Sequence, residues 1–174
     1  VIDLCAIPFK SYLQLFMPHY GISSENFSRG YPTYHFKNDN LLGFDINPNY
    51  KTKTHKKPPH EYKEYDVWGN SFGCYDDEWK KDTLANGVYL AGDSFTWAYV
   101  EYEKKFGTLL EEMIGTKVNA CGVTHTGQAH QFYKFIKLFN KGIKPRVVIV
   151  NIVVNDLDND YFFPHTEVIN GYLI

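Results

Sequence analysis

The stretch VYLAGDSFTWA, residues 88–98, decides how the chain is read. Four apolar residues, Val88 to Ala91, give way to Gly92-Asp93-Ser94, and large aromatics resume at Phe95 and Trp97. A short apolar run bounded by turn residues reads as a buried strand. The glycine, acid and hydroxyl at its end are either a plain turn or a nucleophile presented at the edge of a sheet. The surrounding sequence separates the two.

Downstream the pattern is regular. A helical stretch closes on FGTLLEEMIG, which predicts a core face of Leu109, Leu110, Met113 and Ile114 and a stop at Gly115. KVNACG, 117–122, is a second short strand. GQAHQFYKFIKLFNKG, 127–142, spaces Phe132, Phe135, Ile136 and Phe139 as a helix does and ends on Lys141-Gly142. PRVVIVNIVVND, 145–156, is a long β-branched run, suited to a central strand covered on both faces. Strands are therefore expected at about 87–92, 117–121 and 146–154. The order strand, helix, strand, helix, strand implies an α/β unit with a parallel sheet over residues 85–174.

Residues 1–84 read as an irregular N-terminal extension packing on that core. The segment NPNYKTKTHKKPPHEYKEYD, 47–66, carries three prolines and a lysine cluster and is expected as an exposed loop. Its acids dilute any anion-binding field. The sequon NFS at Asn26 matters only in a eukaryotic secretory route.

Composition bounds the function. At 174 residues, 44% hydrophobic and 17% aromatic, the chain is one folded domain or most of one. A net charge of −2 gives no reason to expect nucleic acid or an acidic membrane as partner. Cys5, Cys74 and Cys121 have no metal-ligand spacing, and one pair at most can be bridged. No glycine-rich phosphate motif occurs, so neither a metal nor a cofactor is expected. The apolar opening, VIDLCAIPFKSYLQLFM, is interrupted by Asp3, Pro8 and Lys10 and is too short to span a bilayer.

In open parallel sheets, ligand sites form beyond the carboxyl ends of strands. Those ends deliver Gly92-Asp93-Ser94, then Gly122 and Gly127 in NACGVTHTGQ, then Asn155-Asp156. A hydroxyl, exposed backbone N–H groups and a side-chain amide are the parts of an acyl-transfer site. Asp93 is expected to bond within its turn and Asn151 to be a satisfied core amide. His125 and His130 are expected in cap or surface roles, and Trp97 and Tyr99 as core aromatics or walls of an acyl pocket.

Taken in order, GDSFT, NACGV and VVND resemble blocks I, II and III of the SGNH (GDSL-type) hydrolase superfamily, over about residues 67–160. WGNSFGCYDDE, 68–78, is similar to the N-S-x-G-F-R-D-x-E stretch of one bacterial subgroup, with Cys74 and Tyr75 standing in the Phe-Arg positions, and LDND after Asn155-Asp156 also looks like that subgroup. The resemblance implies a three-layer α/β/α, flavodoxin-like domain. It implies Ser94 as nucleophile toward an acyl ester such as an acetylated carbohydrate or a lipid. The oxyanion would be held by the Ser94 N–H, a glycine N–H from Gly122 or Gly127, and the Asn155 amide. The same site would serve an O-acetyltransferase, and a non-catalytic glycan- or protein-binding module would use the same scaffold. The subgroup favours a carbohydrate of the cell envelope, and an envelope or extracytoplasmic location. The superfamily's base is the histidine of a D-x-x-H block. Asp160 and His165 stand five positions apart, too close after Asn155 to have crossed another βα unit. The expectation is a domain incomplete at its C-terminus, whose base follows further sheet.

Overall fold

The computed structural model describes residues 32, 34–55, 63–80, 86–166, 168–169 and 172–173. Cys5 and Asn26 lie outside them. Residues 34–80, expected to be irregular, instead contain two antiparallel hairpins. In the first, β1 (Phe36–Asp39) pairs with β2 (Gly43–Ile46). Asp39 makes the turn: its Oδ1 accepts the N–H groups of Leu41 and Leu42 at 3.0 and 3.1 Å, the local bond that acids offer a turn. Gly43 closes it at φ +77°, where a Cβ would also run into the Pro164 carbonyl oxygen at 2.2 Å.

The second hairpin joins β3 (Lys51–His55) to β4 (Glu64–Trp68), with Lys51 opposite Trp68 and His55 opposite Glu64. This corrects the expected loop at 47–66 for residues 51–55 and 64–66; residues 56–62 lie outside the described ones. Prolines and lysines dominate that segment, but EYDVW alternates as a half-buried strand does. Tyr65 and Val67 enter the core while Glu64 and Asp66 face outward.

The central sheet is the expected parallel one, in the order β6-β5-β7. β5 (Val88–Gly92) lies between β6 (Val118–Gly122) and β7 (Val147–Val150). Val88 stands opposite Val118 and Val147, and Gly92 opposite Gly122. Helices α1 (Ser94–Trp97), α2 (Phe106–Ile114), α3 (Gln128–Asn140) and α4 (Asp156–Phe162) follow β5, β6 and β7 in turn, with α1 and α2 both after β5. β8 (Val168–Ile169) and β9 (Tyr172–Leu173) form a last short pair. The architecture is thus mixed α/β, a three-stranded parallel sheet flanked by helices.

The core is laid between the hairpins and the sheet. Phe36, Phe44, Ile46, Tyr65, Val67, Tyr75, Trp97 and Val123 form one buried cluster. Each large apolar side chain so buried contributes about 1.5–3 kcal/mol. A disulfide, Cys74–Cys121, ties the 69–79 loop to the end of β6. Beside it the buried Asp76 carboxylate accepts the N–H of Ala120 at 2.9 Å and the indole of Trp79 at 2.7 Å. Burial pushes the Asp76 carboxyl up.

Three further expectations need correction. The third strand ends at Val150, not at 154. Asn151 N–H still reaches the Ala91 carbonyl at 2.9 Å, but Asp156 N–H then turns back to Val153. β7 is not a covered central strand, because β5 holds that place and every residue of β7 is exposed. Helix faces also differ. On α2, Leu109, Met113 and Ile114 are exposed, and the helix meets the sheet through Gly107 and Leu110. A Cβ at Gly107 would stand 2.7 Å from Ala120. On α3, Phe132, Ile136 and Phe139 are exposed, while His130, Gln131, Lys134 and Leu138 are buried. Buried charge is tolerable when paired and fully hydrogen-bonded. Lys134 Nζ meets that condition: it donates to Asp45 at 2.5 Å and to the Phe72 and Gly73 carbonyls at 3.1 and 3.0 Å.

Candidate active site

Ser94 sits where the sequence places it, immediately beyond the carboxyl end of β5 as the first residue of α1. Asp93 makes the turn. Its Oδ1 accepts the Phe95 N–H at 2.9 Å and so caps α1. Its Oδ2 accepts two donors, Ser94 Oγ at 3.3 Å and Asn155 Nδ2 at 3.4 Å. Asp93 is fully buried and Ser94 half-buried. The hydroxyl beyond β5 and the amide at the start of α4 therefore converge on one carboxylate oxygen, near enough to flank a single reacting centre.

Asn155 does not spend its side chain on its own helix. It occupies the N-cap position of α4 without a capping bond and reaches across to Asp93 instead. Asn151, half-buried, donates to Thr96 Oγ1 at 3.3 Å and steadies α1 from β7's side.

The two glycines belong to the same neighbourhood for packing reasons. A Cβ at Gly122 would lie 2.1 Å from Trp97 N and 2.7 Å from the Asp93 carbonyl oxygen. Only a bare backbone lets the end of β6 press against the Ser94 turn. A Cβ at Gly127 would meet Asp160 Oδ1 at 2.2 Å and the Asp156 carbonyl oxygen at 2.3 Å. Gly127 thus seats the start of α3 against α4.

Further groups fasten this loop to α4, a role that the sequence reading did not assign to Asp156 and Asp160. Asp156 Oδ2 accepts Gln128 Nε2 at 2.5 Å and Val153 N–H at 3.2 Å. Burial pushes its carboxyl up, and Asp93 and Asp160 act in the same direction. Asp160 Oδ1 accepts the Ala129 N–H at 2.8 Å, and Asn159 Nδ2 donates to the Thr126 carbonyl at 3.2 Å. The available signal was the density of Asn and Asp directly after β7, opposite a glycine that opens a helix.

No histidine bonds Ser94 among the described residues. His130, expected in a cap or surface role, is instead buried, with Nε2 2.9 Å from the Phe44 carbonyl oxygen, and burial holds it near a pKa of about 4. His35 accepts the Trp97 indole N–H at 3.0 Å, and burial, aided by Lys105, brings it to about 3. His125 takes left-handed backbone at φ +61° in the loop before Gly127, and His165 is exposed. Trp97 is fully buried, so it is a core residue. Among the described residues no group of acids, cysteines and histidines could hold a metal, and no helix is long and apolar enough to cross a membrane.

Compared with known proteins, the chain matches no family model, no curated protein and no solved structure.

Proposed function

We propose that the chain carries the nucleophile and oxyanion half of a serine ester hydrolase, built on a flavodoxin-like scaffold of the SGNH type. One observation carries the reading: the Ser94 hydroxyl and the Asn155 amide, 61 positions apart in sequence, meet at Asp93 Oδ2. A turn serine has no need of a partner from another strand end. In this proposal Ser94 attacks the carbonyl of an acyl ester, such as an acetylated sugar or a lipid. The Ser94 N–H, an N–H of Gly122 or Gly127 and the Asn155 amide receive the oxyanion. Serine is a weak nucleophile without a base within hydrogen-bond reach. That proton acceptor is proposed to come from outside the described residues. Acyl transfer to a sugar hydroxyl instead of water uses the same groups.

A second reading has its own support. Ser94 Oγ is bonded to a carboxylate and to no histidine, which is what a non-catalytic module on the same scaffold would display. Fluorophosphonate labelling and ester turnover of the intact protein separate the two. Labelling at Ser94, with turnover abolished in Ser94→Ala and reduced by about 100–1,000-fold in Asn155→Ala, is the expected result for loss of one oxyanion donor. Full turnover in Ser94→Ala overturns the serine mechanism. A silent serine in a folded, intact protein favours the binding module.

A further inference from the structure

A second concavity shares no residue with the Ser94 site. It is a cavity of about 520 Å³ between the β3–β4 hairpin and the 3-10 turn Tyr102–Lys104. That volume is within the range of small-molecule sites, about 300–1,000 Å³. Strand alternation builds one wall. Lys51 and Lys53 of β3 share a face with Glu64, Asp66 and Trp68 of β4, since Lys51 stands opposite Trp68 and Lys53 opposite Asp66. The other wall is Glu101, Tyr102 and Glu103.

Two aromatic rings lie at its base. Trp68 and Tyr102 are half-buried, with centroids 5.3 Å apart and planes tilted by 48°. The Trp68 indole N–H is already spent on the Asp76 carbonyl at 2.7 Å, so the ring offers only apolar surface. Tyr65 also lines the cavity, although the residue is only 6% exposed. Its hydroxyl is buried and has no hydrogen-bond partner among the described residues.

We propose that this cleft binds a neutral pyranose ring of an oligosaccharide. A sugar has an apolar C–H face and a rim of hydroxyls that both donate and accept. The cleft offers aromatic surface with carboxylates that accept and ammonium groups that donate. An anionic ligand would meet Glu64 and Glu103, beside Asp66, paired with Lys51 at 2.8 Å, and Glu101, paired with Lys63 at 3.3 Å and Lys104 at 3.4 Å. A cationic ligand would meet Lys53, and Lys51 already holds the Asp66 carboxylate at 2.8 Å. Such a ligand would also find the Tyr102 ring already engaged by the buried Lys105, whose Nζ lies 5.9 Å from the ring centroid. A neutral polyol escapes both penalties.

The cleft is joined to the Ser94 helix by aromatic contacts. Trp97 of α1 packs on Tyr75 at 5.3 Å, and Tyr75 on Trp68 at 5.1 Å. These contacts run through the buried core, since Trp97 and Tyr75 are fully buried, and we assign to the cleft the glycan that bears the scissile ester. That role rests on the serine-ester reading, whereas binding itself does not.

The test is a titration of the 174-residue chain followed through its indole N–H signals by NMR. The probes are cellotetraose, mannotetraose and chitotetraose, with tetragalacturonate and tetramethylammonium as charged controls. At least one neutral tetrasaccharide should shift the Trp68 indole signal saturably, and the double variant Lys53→Ala/Glu103→Gln, at exposed positions, should weaken it by about tenfold or more. Ser94→Ala should bind as the parent does. No saturable shift with any neutral probe up to about 20 mM overturns the proposal, as does unchanged affinity in the double variant or tighter binding of a charged control. Because binding is read in Ser94→Ala as well, failure here leaves the esterase reading standing, and failure of serine labelling leaves the cleft standing.

Discussion

β5 and β7 are neighbours in one sheet with similar apolar sequences, VYLAG and VVIV, yet they live in different surroundings. Every residue of β5 is buried. Val147 to Val150 are 47, 43, 37 and 45% exposed, on both faces of the strand. Exposure continues past the strand at Ile152 and Val154 and on α4 at Leu157 and Tyr161. β5 has a strand on each side and the hairpin core beneath its end. Among the described residues β7 has one partner and an open edge. The difference teaches that an apolar run specifies what a strand tolerates, and its neighbours decide what it receives. A long apolar edge left open is a template for another strand.

Acid should erase the contrast, with the largest effect. The first hairpin meets the rest of the core through two neutral histidines, His35 against Trp97 and His130 against Phe44. Their folded pKa values, about 3 and 4, lie below the unfolded value near 6.5. The unfolded chain therefore binds more protons between those limits. Stability is full above about pH 6.5 and falls as pH drops toward 4, by about 1.4 kcal/mol per unit for each histidine. Unfolding free energies from urea titrations at pH 7 and pH 4.5 should differ by about 5 kcal/mol. His130→Gln should remove about half of that slope, and an unchanged slope would place the titration elsewhere.

Truncation tests the two strands directly. Leu90→Ala on β5 should cost about 2–5 kcal/mol, whereas Ile149→Ala on β7 should cost less than about 1 kcal/mol. Equal costs in equilibrium unfolding would mean that β7 is covered in solution. Replacing the disulfide on β5's closed side, by Cys74→Ser with Cys121→Ser, should lower stability by about 2–4 kcal/mol. A loss confined to reducing-agent-free buffer in the parent comparison, with no difference under reductant, would assign the whole effect to the bond. The smallest effect is expected from Val148→Lys, within about 0.5 kcal/mol by denaturation. That substitution should nonetheless reduce self-association in light scattering, because it charges the open edge. A loss above about 2 kcal/mol would show a buried β7.

The sheet was readable because β-branched runs, glycine stops and helical spacing agree from residue 87 onward. The β3–β4 hairpin was not, since lysines and prolines outweighed the alternation of Tyr65 and Val67. Periodicity also mis-set α3. It marks Phe132, Ile136 and Phe139 as an apolar face, but the neighbours of the described fold cover the opposite one, where Lys134 finds three acceptors. No spacing rule announces a partner 89 positions away at Asp45. At the site, Ser94 was readable as a strand-end residue, whereas Asn155, read as one, stands five positions past β7 at the start of α4. The shared acceptor at Asp93 and the close approach behind Gly122 are tertiary facts with no local signature. The cysteine pairing was likewise invisible, its members being 47 residues apart.

That crosslink also changes how the molecule would answer a pulling force. Cys74–Cys121 closes a covalent ring that contains β5, Ser94 and most of β6, and leaves Asn155 outside it. Stretched by its ends, the oxidised chain would withhold about 160 Å of contour, the extended length of the 47-residue loop. Asn155 could be drawn away while Ser94 stays inside an unopened ring. A single-molecule extension trace should therefore gain that hidden length only when a reductant is present.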